Sequence, residues 1–404
     1  MINHKEFKFV LLLANSNLEY NFALRLSEAF PQIGYTSIVL TLKPSLYIKL
    51  KRKGIRSYLI RKLKADTSVP DLNKLIRISN NLLSKEEIAT LYVSIFDHMQ
   101  QMLDKNVIDI IFILNGQGLT SAPLSAVAKE NKIPRVYFEL ANIPGKLFVD
   151  PTGVNASSSL YENIDLLKEY KSSESQYLEW KENYSKYKSK NFIIPQVDKL
   201  YKKNNLLFIL DYLSCKALIT PVSGDYTLVR KFFNKFRQNY YHRYSSNNIQ
   251  NKKYLFLPLQ VENDTQLVFN SDVNNIDAIK ISFDLATQKE LGLFVKPHPA
   301  SSNKKEIEKI LSLQRKLNFT LTNKNTFDLL INSEEVVTIN SSVGLDGLIF
   351  GKDVTFLGKS FYSILNKEYL KNYLLSYLIN IDYFSNEEID IRELEKVFER
   401  VTKG

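Results

Sequence analysis

Apolar runs of strand length recur along this chain, each closed by a polar or glycine-containing turn and followed by a stretch of helical period. Residues 7–13 read as a buried strand, Asn15-Ser16-Asn17 as its turn and residues 21–30 as a helix. Residues 36–42 form a second strand pattern. Residues 109–114 form a third, closed by Asn115-Gly116-Gln117-Gly118 and followed by a helix over about 120–131, and residues 135–139 a fourth. Short continuous apolar strands alternating with helices predict a parallel, Rossmann-like sheet. The alternation returns with strands at 254–259, 291–296, 336–340 and 354–357 and helices at 275–289, 304–316 and 343–350. Between the two series, residues 160–250 are rich in Lys, Tyr, Glu, Ser and Asn, with helical periodicity and few strand signals.

A chain of 404 residues is long enough for two cores. Two Rossmann-like units with a helical C-terminus suggest an α/β protein of GT-B architecture. Its expected parts are an acceptor-side domain at 1–159, a helical insertion at 160–250, and a nucleotide-sugar domain with terminal helices at 251–404. The active site is expected in the cleft between the domains, beyond the C-terminal strand ends. With 44% hydrophobic and 24% charged residues the chain reads as globular. No apolar run approaches the roughly 20 residues that span a bilayer. The first ten residues are too polar for a secretory signal, so a cytoplasmic location is expected. The single cysteine, Cys215, excludes an internal disulfide framework and a cysteine-rich metal site.

The net charge of +11 is unevenly spread. Lys43, Lys49, Lys51, Arg52, Lys53, Arg56, Arg61, Lys62 and Lys64 are interleaved with Leu, Ile and Tyr. They form either a solvated helical face or an attraction for an anionic partner, such as a glycan acceptor or the inner membrane surface. No nucleic-acid-binding motif accompanies the charge, so nucleic acid is not expected as a partner.

Four segments carry candidate chemistry. In Ser341-Ser342-Val343-Gly344-Leu345-Asp346, between a strand and a helix, small hydroxyl residues either cap the helix or leave its N–H groups to an anion. Asp346, one turn inside, is placed to reach a ribose hydroxyl. In Lys296-Pro297-His298-Pro299 two prolines hold His298 in a stiff loop, where it can donate to a phosphate while Lys296 offsets charge. In the loop Gln260 to Gln266, Asp264 is either an Asx-turn residue or a nucleophile for an anomeric carbon. Glu139 ends a strand and suits a general acid/base, whereas Asp150, before Pro151, suits a turn. Gly116-Gln117-Gly118 lacks the third glycine of a dinucleotide fingerprint. No two aspartates stand two apart, so a metal-independent mechanism without a cofactor is expected.

In combination these segments resemble the bacterial capsule and O-antigen β-Kdo transferases. That family has a strand-end glutamate, a Q-x(2–4)-D loop, a strand ending in K-x-H-P and a segment S-x-x-G-F-E-A-L-x-x-G-K-x-V. Here Glu139, Gln260 with Asp264-Thr265, Lys296 with His298-Pro299, and residues 341–354 match it in order over about 135–362. The resemblance implies a GT-B fold, CMP-Kdo as donor and transfer with retention in capsule or O-antigen synthesis. It implies Asp264 as nucleophile, Glu139 and His298 as its catalytic companions, and a donor site of Gln260, Thr265, Lys296, His298, Ser341, Ser342, Gly344 and Asp346. The acceptor it implies is a glycan or lipid-linked oligosaccharide, with peripheral association at the inner membrane. The chain departs from the family in carrying Asp346 for the helix glutamate, and in lacking a Trp-Gly pair after Phe361-Tyr362. Two other readings stay open: a transferase using another CMP- or UDP-sugar, and a non-catalytic glycan- or nucleotide-binding module of a larger polymerase.

Overall fold

The first strand, Lys8–Leu13, is buried over its middle, and Ser16 stops it and starts a helix. The Ser16 hydroxyl accepts from the Glu19 N–H while the Glu19 carboxylate accepts from the Ser16 N–H, a capping box that fixes the start of the Asn17–Ala29 helix. The computed structural model describes residues 8–63, 71–79, 83–105, 108–189, 205–217, 219–222, 253–301 and 303–401. Its chain divides into two units, one of residues 1–162, 193–226 and 377–404, the other of residues 163–192 and 227–376.

The first unit is built on six strands: β1 (Lys8–Leu13), β2 (Tyr35–Thr41), β3 (Ser57–Leu59), β4 (Ile110–Leu114), β5 (Arg135–Leu140) and β6 (Leu147–Asp150), in the order β3-β2-β1-β4-β5-β6. The strands run parallel except β6, which returns antiparallel to β5 with Glu139 opposite Phe148. The expected parallel sheet is there, with β3 and β6 added. The basic stretch beginning at Lys43 is not one helical face. It is the helix Pro44–Arg52 followed by β3, because Gly54, at φ +74°, ends the helix in the left-handed region that glycine adopts freely.

The second unit holds β7 (Tyr254–Pro258), β8 (Gly292–Lys296), β9 (Thr320–Leu321), β10 (Glu335–Thr338) and β11 (Asp353–Phe356), all parallel, in the order β11-β10-β7-β8-β9. Leu255, Leu257, Val295 and Val337 form its core with Ile279, Ile307 and Ile310 from the covering helices. Gly344 lets the Ser342–Ile349 helix approach the sheet: a Cβ there would lie 2.6 Å from the Phe356 ring and 2.9 Å from Thr338. One all-parallel sheet and one parallel but for its edge strand β6 make this the α/β class that the periodicity predicts.

The boundaries differ from the sequence expectation at two places. Residues 377–404 belong to the first unit, not to the C-terminal one. The Ile391–Glu399 helix is strongly amphipathic and buries Leu394 and Val397 in the core of the first sheet, where the Phe398 ring meets Tyr35 at 4.2 Å and Phe112 at 5.3 Å. The expected helical insertion at 160–250 is also divided. Its helix Glu174–Ser189 lies in the second unit and its helix Asn205–Lys216 in the first, while 190–204 and 223–250 lie outside the described residues. Among the described residues no helix is long and apolar enough to cross a membrane.

Candidate active site

The C-terminal ends of β10, β7 and β8 are neighbours, and each opens into one of the segments singled out in the sequence. Chain connections leave β7 toward β8 on one side and reach β10 on the other, so the crevice between β7 and β10 is the switch point of the second sheet. Gln260 and Asn340 span it. The Gln260 amide donates to Asn340 Oδ1 at 2.9 Å, and its carbonyl oxygen accepts from the Asn340 N–H at 3.0 Å. Asn340 in turn donates to the Gln266 carbonyl at 3.0 Å, and Asn275 holds the Gln260 backbone through both its amide groups. Gln260 is therefore buried, with its side chain bonded to Asn340 and its backbone to Asn275. These bonds position the loop that carries Asp264.

Asp264 stands at the N-cap of the short helix Thr265–Asn270, where its Oδ1 accepts the Gln266 N–H at 2.8 Å. The side chain is half-buried. Burial raises its pKa above the usual carboxylate value; the Gln266 N–H and the nearby His298 pull it back in part. His298, one strand over, is also half-buried. Its pKa is lowered, chiefly by burial and also by Lys296, while Asp264 opposes the shift. The Ala300 N–H donates to His298 Nδ1 at 3.1 Å, which leaves the ring proton on Nε2 and makes that atom a donor. Lys296 gives one of its three protons to the Lys324 carbonyl, and burial lowers its pKa.

On the other side of the crevice Ser341 caps the Ser342–Ile349 helix, accepting the Val343 N–H at 3.2 Å. Ser342, the first helical residue, and Thr265 are half-buried at their helix starts. Asp346 is committed elsewhere. Its Oδ1 accepts from the Tyr184 hydroxyl at 2.7 Å and its Oδ2 pairs with Lys188 at 2.7 Å, both on the Glu174–Ser189 helix. Burial and the Asp346 carboxylate both raise the Tyr184 pKa. The carboxylate expected to reach a ribose thus fastens a helix instead, because its position one turn inside the Ser342–Ile349 helix turns it toward protein.

Sequence reasoning missed the supports behind the loop: Asn340, Asn275 and Glu306. Asn275 Nδ2 donates to Glu306 Oε1 at 2.8 Å. Burial, and less strongly the neighbouring Glu262, push the Glu306 carboxyl up to about 7. Asn340, directly after β10, carried a signal in its strand-end position; Glu306 carried none.

In the first unit, Glu139 is half-buried on β5 and accepts from Asn115 Nδ2 at 2.7 Å. Asn115 itself sits at φ +61°, in the turn that closes β4. Asp150 is fully buried. Its Oδ1 accepts from the backbone of Thr152, Gly153 and Ser159 and from the Thr152 hydroxyl, while Oδ2 accepts from the Ser159 hydroxyl at 2.6 Å and from Tyr377 at 3.2 Å. It organises a turn, as its place before Pro151 suggests.

Two sheets of parallel strands, the first with one antiparallel edge strand, and polar strand-end loops gathered at the switch point of the second define a protein of the Rossmann-like α/β class. The sequence pattern of the capsule polysaccharide biosynthesis protein family matches residues 118–366, more than half the chain, and the chain belongs to that family. It is 24% identical over 302 residues to Protein FixF of Sinorhizobium fredii (strain NBRC 101917 / NGR234), a match covering 72% of this chain and 58% of that protein. It is 30% identical over 128 residues to the capsule polysaccharide export protein KpsS of Escherichia coli, covering 29% of this chain and 33% of that one. The chain thus spans little more than half the length of the first of these curated relatives. Among solved structures it is similar to the Thermosulfurimonas dismutans KpsC beta Kdo 2,7 transferase, at 16% identity and a TM-score of 0.45, covering 97% and 98% of the two chains.

Proposed function

We propose that the chain is a glycosyltransferase that moves Kdo from CMP-Kdo to a glycan or lipid-linked oligosaccharide acceptor with retention, through a covalent adduct on Asp264. The observation that supports this reading is the placement of Asp264 and His298 on the loops that leave two adjacent strands, beside the capped start of the Ser342–Ile349 helix. Kdo bears a carboxylate beside its anomeric carbon, so an anionic nucleophile meets an anionic sugar. A carboxylate whose ionisation is held back by burial, with an imidazole and the Lys296 ammonium close by, suits that approach.

In the first step an Asp264 oxygen bonds to the anomeric carbon as the bond to the CMP phosphate oxygen breaks, and CMP leaves with the electron pair. His298 Nε2–H and the Ser342 backbone donate to the departing phosphate, and Lys296 offsets its charge. In the second step an acceptor hydroxyl attacks the same carbon, Asp264 leaves as carboxylate, and a base takes the hydroxyl proton. Glu139 is assigned that last role. Two inversions give net retention. Asp264→Asn keeps shape and removes charge. It is expected to bind CMP like the parent by calorimetry while releasing no transferred Kdo. Near-parent transfer by Asp264→Asn, or transfer from a UDP-sugar with CMP-Kdo ignored, would overturn the proposal.

A further inference from the structure

From Ile209 on, the Asn205–Lys216 helix of the first unit has its polar side inward and its apolar side outward, the reverse of a protein surface in water. Its inward face carries Asp211 and Ser214, 5% and 6% exposed, with the buried Cys215. Its outward face carries Ile209 and Leu213, 51% and 56% exposed, with Leu210 and Tyr212 beside them; Ile219, just beyond the helix, is 50% exposed. A surface helix normally buries its apolar stripe and wets its polar one. Here the polar stripe is held inside by specific bonds. Asp211 Oδ1 accepts from the Ser45 N–H at 2.8 Å and Oδ2 from the Ser45 hydroxyl at 2.6 Å, which caps the Pro44–Arg52 helix. The apolar face is therefore locked outward, and rotating the helix to hide it would break that cap.

The element it is locked to is the basic one. Lys51, Arg52, Lys53, Arg56 and Arg61 are exposed, and residues 43–63 contain no Asp or Glu. Among the described residues none of these five cations pairs with a carboxylate. Apolar and basic parts adjoin where the Lys62 N–H donates to the Ile219 carbonyl at 2.9 Å. A nucleic acid would satisfy the cations and leave the leucines in water. A second copy of the same surface would bring like charges together. An anionic bilayer surface takes both, since apolar side chains enter the headgroup boundary while Lys and Arg meet the lipid charge.

We propose that the Asn205–Lys216 helix, with Ile219 and the basic Pro44–Arg61 stretch, docks the first unit onto an anionic lipid surface. The surface is independent of which sugar the chain transfers. The test is co-sedimentation of the purified chain with vesicles of phosphatidylcholine alone or with phosphatidylglycerol added. The chain should pellet with the anionic vesicles only and be released by about 0.5 M salt, where the screening length is a few ångströms. The double variant Ile209→Ser/Leu213→Ser should bind at least about tenfold more weakly, and Lys51→Glu/Lys53→Glu should lose about fivefold per charge removed. Both pairs are exposed, so thermal melts should match the parent. Absence of binding to anionic vesicles by the parent chain would overturn the proposal. So would binding that neither variant alters, or self-association in gel filtration that Ile209→Ser/Leu213→Ser abolishes without changing vesicle binding.

Discussion

Asp150 ends the edge strand of the first sheet and Asp264 lies in the loop after the central strand of the second, and the same side chain has opposite surroundings in the two places. Asp150 is fully buried, and its two oxygens are saturated by backbone N–H groups and hydroxyls from Thr152, Gly153, Ser159 and Tyr377. No lone pair is left for chemistry. Asp264 accepts the Gln266 N–H on Oδ1, is half-buried, and has its charged form favoured by His298. A carboxylate that is ringed with donors builds a turn, whereas one that is buried but under-supplied with donors holds reactive potential. Position after a strand does not separate the two; the donor supply does.

The largest contrast is in activity. Asp264→Asn should cut transfer on the order of 10⁴-fold or more, the scale of removing a covalent nucleophile, while its thermal melt stays near the parent's. Asp150→Asn should do the reverse in kind. The new amide N–H₂ would confront the Ser159 and Thr152 donors, costing about 3 kcal/mol in stability to denaturant. A stable Asp150→Asn chain, or an unfolded Asp264→Asn one, would erase the distinction between them.

Glu306 gives the next effect. Its folded carboxyl sits at about 7 against an ordinary 4.5, so the folded chain binds that proton more tightly than the unfolded one. The favourable contribution is complete below about pH 4.5 and is lost as pH rises through about 7. Glu306→Gln should therefore be more stable than the parent above pH 7, on the order of 2 kcal/mol, and the difference should close toward pH 4. A variant less stable at pH 8 would contradict this.

The smallest effect concerns the position of a titration. His298 partly offsets the burial that raises the Asp264 pKa. The nucleophile acts as the anion, so kcat/KM should fall on the acid side at a pH above the ordinary carboxylate range. His298→Asn, besides slowing transfer, should move that acid limb to higher pH. A limb that stays put or moves down would mean that another group sets it.

Much of the scaffold was legible because its signals are local. Buried runs such as Phe9 to Leu13 and Leu255 to Leu257 announce parallel strands through their own composition, and Ser16 with Glu19 announces a helix start. The antiparallel strand β6 was not, since four residues after a Pro-Gly turn gain strand identity only by pairing with β5. Nor was the return of residues 377–404 to the first unit, which depends on Phe398 finding Tyr35 across almost the whole chain. In the candidate site the loop residues Asp264 and His298 stood out by position, as Asn340 could have at its strand end, while Asn275 and Glu306 did not. Gln260 looked like a ligand residue, but its partner is Asn340, and Asp346 is claimed by Tyr184 and Lys188. Such pairings are tertiary, and no local pattern encodes them.

The central claim is that Asp264 becomes covalently attached to the sugar. Glu139→Gln should slow the second step more than the first, because breakdown of the adduct needs the acceptor's proton removed. That variant, mixed with CMP-Kdo and acceptor, should gain the mass of one Kdo in intact-protein spectrometry, and peptide mapping should place it on Asp264. An adduct on any other residue, Asp150 included, or rapid turnover by Asp264→Asn, would contradict the account.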